Sequence, residues 1–188
     1  VRIVSSLGTV AYATHQICLN ISGLSFTPGQ AFGIAASSLT GRSLGADDPD
    51  RAEEYIKTSR KIGAIIATIV GVVFFFFGSF IASLYTKNPE VIEEAAKILK
   101  VIAIIQPFQS SQLIIAGGLR GAGDTVWTLV AIFFSVLVVR VILAYLFIVV
   151  LGLGLIGAWY AMFCDQLVRW ALIKLRFKTD KWKYISIR

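Results

Sequence analysis

Four stretches of the chain, Ile62 to Tyr85, Ile98 to Gly118, Val126 to Leu151 and Leu153 to Leu175, are each apolar over the roughly 20 residues that a helix needs to cross a hydrocarbon core about 30 Å thick. Such runs leave few folds open. In lipid every backbone polar group must be satisfied within the segment itself, and only helices and closed barrels do that. Apolar runs of this length are therefore counted as helical spans. A longer run from Ala11 to Leu44 precedes them, interrupted at Pro28, and is read as one long bent helix rather than two short ones. The composition agrees: 56% of the residues are hydrophobic, 15% are charged, and the mean hydropathy is +0.76. The fold class expected is an all-α integral membrane protein of about five transmembrane helices, spanning 11–44, 62–85, 98–118, 126–151 and 153–175. A basic tail follows at 176–188.

The net charge of +7 invites a nucleic-acid reading, but the positions of the charges argue against it. Arg42, Arg51, Lys57, Arg60 and Lys61 flank one loop, and Arg120 sits in another. Seven further basic residues, from Arg169 to Arg188, crowd the end. The alternate loops are poor in basic charge: TKNPEVIEEAAK balances its lysines with glutamates, and LGLGLIG carries none. Basic loops alternating with non-basic ones are what five consecutive spans give when the basic side is cytoplasmic. The expected location is therefore a plasma (cell inner) membrane, crossed several times, with the C-terminus in the cytoplasm. The basic tail next to the bilayer can also touch anionic lipid. No signal-peptide pattern opens the chain and there is no initiator Met, so these residues are expected to be part of something longer. Cys18 and Cys164 both fall within spans, lack metal-ligand spacing, and are expected to be small packing residues.

Small residues mark the helix contacts. Gly29, Gly33, Ser37 and Gly41 recur every four residues, as do Gly63, Ala67 and Gly71. Such faces let backbones approach in lipid, where no hydrophobic effect drives helices together. In GADDPDRAEEY, Asp48 or Asp50 is expected to cap the following helix, with Pro49 near its first turn.

The stretch AGGLRGAGDTV at 116–126 admits three readings. No lysine follows its glycines as in a phosphate loop. GAGD at 121–124 matches the GxGD signature of intramembrane aspartyl proteases, with Asp165 as a second acid, but the Tyr-Asp pair of such enzymes is missing. The third reading is a turn at the membrane surface, with Asp124 as a helix cap. Among polar residues inside the spans, Gln106, Gln109 and Gln112 form a stripe on one helix. They either line a water-filled cavity or join helices by hydrogen bonds. Gln16 and Asn20 are further candidates for a cavity wall. Arg140 must find an acid, carbonyls or water, and a carboxylate outside this chain is one such partner. Asp165 and Arg169, four residues apart, are expected to pair with each other. His15 is read as a hydrogen-bonding residue rather than a proton relay.

AYATHQI, PGQAFGIAASSLTGRSLGADDPDRAEEY, IIQPFQSSQLIIAGGLRGAGDT, RVILAYLF and LGLGLIGAW, taken in order, resemble the C-terminal half of a multidrug and toxin extrusion (MATE) transporter. The resemblance covers nearly the whole chain. It implies the eighth to twelfth helices of a twelve-helix, two-lobe antiporter that exports small, often cationic and amphipathic drugs or toxins in exchange for H⁺ or Na⁺. The lobe would carry Pro28, Gly33, Gly41, Gly45, Arg120, Gly121, Gly123 and Asp124 as structural motif residues. GLRGAGDT would be the cytoplasmic turn between the tenth and eleventh helices. No enzymatic activity, organic cofactor or nucleic-acid partner is implied. Because the helix from Ile98 to Gly118 holds no acid, the coupling-ion site is expected in the N-terminal lobe, the partner of this one. Gln106, Gln109 and Arg140 are the residues expected to face the cavity from this side. A lipid or lipid-linked oligosaccharide flippase of the same broad fold is the alternative, with Arg140 suited to an anionic head group.

Overall fold

The computed structural model describes residues 8–185. Five long helices account for nearly all of them: α1 (Thr9–Gly45), α2 (Pro49–Ser83), α3 (Pro89–Gly121), α4 (Thr125–Val150) and α5 (Gly154–Lys178). A short 3₁₀ turn, Lys181–Tyr184, follows. Helices α2, α3 and α4 are each long and apolar enough to cross a membrane. Large apolar side chains stand exposed along their outer faces, among them Ile69, Phe76, Val126, Phe133 and Val150, which suits lipid rather than water.

The local signals explain where these helices begin and end. Asp48 caps α2, its Oδ1 accepting from the Arg51 amide at 3.0 Å, with Pro49 as the first helical residue. Asn88 caps α3 in the same way through the Glu90 amide, ahead of Pro89. Between α4 and α5 the chain reverses at Gly152 and Gly154, whose φ angles of 63° and 59° lie in the left-handed region. Helix α1 runs unbroken through Pro28 as a single element. Helix α2 kinks at Phe77, where φ and ψ are −108° and 15°.

Helix α3 is the hub, packed against α1, α2 and α5, while α4 leans on α5. Two hydrophobic clusters fill the interior. One gathers Cys18, Ile98, Leu99, Ile102 and Trp159, and the other gathers Ile56, Ile115, Leu119, Ile173 and Trp182. The approach of α1 to α3 depends on the glycines. A Cβ at Gly33 would stand 2.9 Å from the Leu113 carbonyl oxygen, and one at Gly117 or Gly121 would overlap the carbonyl of Gly33 or Ser37. Gly41 faces the Gly121 carbonyl across the same seam. On α2, a Cβ at Gly71 would lie 2.6 Å from the Ala103 carbonyl oxygen. Pro107 has no N–H to offer that carbonyl four residues back, so a bare acceptor and a bare Cα meet.

Three expectations need correction. The stretch at 116–126 is a turn only at Ala122 to Asp124, where Gly123 adopts φ 85°; Gly117, Gly118 and Gly121 belong to α3 and pack it against α1 and α2. Gly45 closes no contact, since a Cβ there would meet open space. Residues 176–185 are not all tail: α5 runs on to Lys178, and Trp182 folds back to stack on Phe177 at 5.5 Å, fully buried.

Candidate functional site: a polar layer between two apolar cores

Between the two hydrophobic clusters, around Pro107, α3 carries five consecutive-turn polar side chains that are all buried: Gln106, Gln109, Ser110, Ser111 and Gln112. Helix α1 adds Ser22 and Ser25, and α5 adds Gln166 and Trp170. The packing here supplies some partners. Gln106 Nε2 donates to Ser25 Oγ at 2.6 Å, and Trp170 Nε1 donates to Ser111 Oγ at 3.3 Å. Other groups are left without one among the described residues: Ser22 Oγ, Ser110 Oγ, Gln166 Oε1, Trp159 Nε1 and His15 Nδ1.

Most of these orphans border one cleft. Ser22 and Phe26 of α1, Ile105 and Gln109 of α3, and Trp159 and Gln166 of α5 enclose about 30 Å³, room for a water molecule. His15 lies about two turns from Ser22 toward the start of α1, its ring edge-on to Trp159 at 5.5 Å. Buried polar groups without partners are costly, so a water or another polar group is expected among them. No carboxylate lines this cleft among the described residues.

The sequence candidates separate here. Gln109 lines the cleft. Gln106 makes an interhelical hydrogen bond to Ser25 of α1, and with Gln109 it also borders a smaller hollow between α1, α2 and α3. Gln16 and Asn20 are exposed on α1 and line neither of the hollows that Gln109 borders. Arg120 is exposed in the last turn of α3.

Arg140 corrects one expectation, since its carboxylate partner lies within the chain. Arg140 Nε donates to Asp165 Oδ2 at 2.7 Å and Nη2 adds a second contact to the same oxygen. Arg169 Nη2 donates to the other oxygen at 2.8 Å, and its Nε reaches Ser135 Oγ at 3.0 Å. The expected Asp165–Arg169 pair is thus present, but Asp165 serves two arginines. The backbone of α4 makes this possible. Phe134–Arg140 is a wide π-helical stretch. In an α-helix residues five apart point about 140° away from each other; the wider turn brings Ser135 and Arg140 to the same side, facing α5.

Asp124 also differs from expectation. It occupies the cap position of α4, but its side chain makes no capping bond and instead accepts from Arg176 Nε at 2.6 Å, with the guanidinium 5.4 Å above the Trp127 ring. Each aspartate of the protease reading is therefore bound to arginine. Neither pairing was visible in the sequence, because 25 and 52 residues separate the partners.

Comparison with known proteins places the chain. The family model MatE matches residues 1–146. The probable multidrug resistance protein NorM of Thermotoga maritima is 30% identical over 94% of this chain. A multidrug resistance protein MdtK of Yersinia pseudotuberculosis is 37% identical over 65% of it. Among solved structures, a MATE in complex with MaL6 superposes with a TM-score of 0.88 at 23% identity, covering 98% of this chain and 41% of that one. The chain spans about 40% of the length of curated NorM relatives, 38% of the Thermotoga protein and 27% of the Yersinia one. With the family model matched over most of its length, this helical membrane chain belongs to the MatE family of transporters.

Proposed function

We propose that these residues form most of one lobe of a secondary antiporter that exports amphipathic, often cationic drugs or toxins, and that the cleft at Gln109 is part of its substrate-facing wall. The observation that carries the reading is the row of unpartnered polar groups, Ser22, Trp159 and Gln166, around a cleft between α1, α3 and α5. A polar layer held between two apolar cores is where a transporter needs adaptable hydrogen bonding near the midplane. Relatives named as multidrug resistance proteins support the same cargo class.

The coupling cation, H⁺ or Na⁺, binds outside this cleft in our reading, in the opposite lobe. Asp165 and Asp124 are each held in ion pairs by arginine, which fits structural rather than ion-carrying roles. The basic residues at the α1–α2 turn, the α3–α4 turn and the end of α5 share one end of the bundle, as the Lys183–Glu53 and Arg176–Asp124 pairs attest. That end faces the cytoplasm of a plasma membrane under the positive-inside rule. Rocking of this lobe against its partner would expose the cleft alternately to the two sides.

The test is susceptibility. Deleting the complete gene should sensitise the host to several cationic amphipathic compounds, and a plasmid copy should restore resistance. Cell-envelope defects with unchanged drug sensitivity would overturn the export reading in favour of lipid flipping.

A further inference from the structure

Another hollow, of about 1160 Å³, lies between α2, α3 and α5 and shares no lining residue with the Gln109 cleft. Its two ends differ in chemistry. Toward the basic end of the bundle it is ringed by Lys57, Arg60 and Lys61 from the start of α2 and by Lys174 and Lys178 from the end of α5. Farther in, the walls are apolar, formed by Ile65 and Ile69 of α2 and Pro107 and Phe108 of α3. Ile65 and Ile69 also stand on the exposed apolar face of α2, so the hollow opens sideways onto the lipid-facing surface.

Apart from Lys57, the basic groups at the rim are uncompensated. Two acids, Glu53 and Asp180, also border the hollow, but Glu53 is taken by Lys57 and Lys183, and Asp180 lies 3.4 Å from Lys183. Among the described residues, Arg60, Lys61, Lys174 and Lys178 have no carboxylate within ion-pair distance. Lys174 is held where the two chemistries meet. Its ammonium sits 4.4 Å over the Trp170 ring, and that indole is fixed by its bond to Ser111 and by Phe108 edge-on at 5.2 Å.

We propose that this groove is a binding site for one anionic phospholipid of the leaflet on the basic side, its phosphate held among Arg60, Lys61, Lys174 and Lys178 and its acyl chains laid along Ile65, Ile69 and Phe108. Charge complementarity selects the head group, and the sideways opening onto lipid selects a membrane component over a soluble anion. The site is separate from the Gln109 cleft and does not depend on what the protein exports.

The test uses the complete protein, purified in detergent and mixed with phosphatidylglycerol or phosphatidylcholine, with bound lipid counted by native mass spectrometry. The wild type is expected to retain one phosphatidylglycerol in preference to phosphatidylcholine. Replacing Arg60, Lys61, Lys174 and Lys178 together by Gln should weaken that retention about tenfold or more. Ile65→Trp, which fills the apolar end and leaves every charge in place, should displace the same lipid. Lys87→Gln with Lys97→Gln, at the opposite end of the bundle, should change nothing. If the fourfold variant does not fold, Lys61→Gln and Lys174→Gln singly should each reduce retention. Equal retention of the two lipids would overturn the site, as would retention that survives the charge replacements. Loss on charge removal but not with Ile65→Trp would mean diffuse surface attraction and would overturn it too. So would a groove already filled by another part of the complete protein, which would appear as no retained lipid in the wild type.

Discussion

Arg140 and Asp165, on neighbouring helices α4 and α5, are joined through two guanidinium nitrogens on one carboxylate oxygen, while Arg169 holds the other oxygen. The carboxylate is fully buried and carries the charge balance of two arginines at membrane depth. Asp165→Asn should therefore cost about 3–5 kcal/mol, since it leaves two charges without their partner. Denaturation of the complete protein in detergent micelles would measure this. Pairing Asp165→Leu with Arg140→Met should recover part of the loss, because the double change leaves only one of the two arginines, Arg169, without its carboxylate.

The same network separates stability from ion coupling. If Asp165 is structural, a correctly folded Asp165→Asn protein should keep the pH and Na⁺ dependence of its transport while losing thermal stability. Transport that ceases to respond to either ion, at normal expression, would make Asp165 the coupling acid instead.

Glycines along α1 and α3 differ in what they tolerate. Gly117→Val sets a side chain into the Gly33 carbonyl, and its cost should reach or exceed the upper end of the roughly 1–3 kcal/mol of ordinary overpacking. Gly45→Ala enters open space and should stay within about 0.5 kcal/mol of the wild type. Thermal melts of the two variants would separate a packing glycine from a bystander.

How much of this was written in the sequence depends on the range over which a signal acts. The five helices, the Asp48 cap and the unbroken α1 follow from local hydropathy and capping chemistry, and the four-residue spacing of Gly29, Gly33, Ser37 and Gly41 pointed to a close helix seam. The role of Gly117 and Gly121 was hidden, because a glycine-rich stretch with charge reads as a turn until its partner helix is known. Asp124 looked like a cap for a similar reason: Arg176 reaches it only after α4 and α5 have folded back together. Arg140 was legible as a buried charge that needs a partner, but not as Asp165's. That pairing depends on the wide turn at Phe134–Arg140, which no spacing rule for α-helices anticipates. Of the glutamines, the stripe was visible, whereas the division of labour, Gln106 to Ser25 and Gln109 to the cleft, follows from which helix each one faces.

The folded end of the chain supplies a pH test. Its hydrogen bond to Glu53 pushes the Lys183 ammonium above the ordinary lysine range. A raised pKa in the folded state means that this tie is fully present below the lysine's unfolded value and is lost as pH rises through the higher one. Docking of the Lys181–Tyr184 turn should therefore persist through neutral pH and loosen only under alkaline conditions, reported by Trp182 fluorescence. In Lys183→Met the turn should already be looser at pH 7 and should show less alkaline change.

The central claim, that the polar layer around Gln109 faces the exported compound, is tested most directly by the affinity of the purified complete protein for a fluorescent cationic dye. The wild type should bind the dye, and Gln109→Ala, folded and equally stable, should bind it several-fold more weakly and export it more slowly, while Gln106→Ala should cost only the roughly 0.6 kcal/mol of a typical interhelical hydrogen bond in lipid. Dye affinity and export unchanged by Gln109→Ala would contradict the assignment and move the substrate wall to another part of the protein.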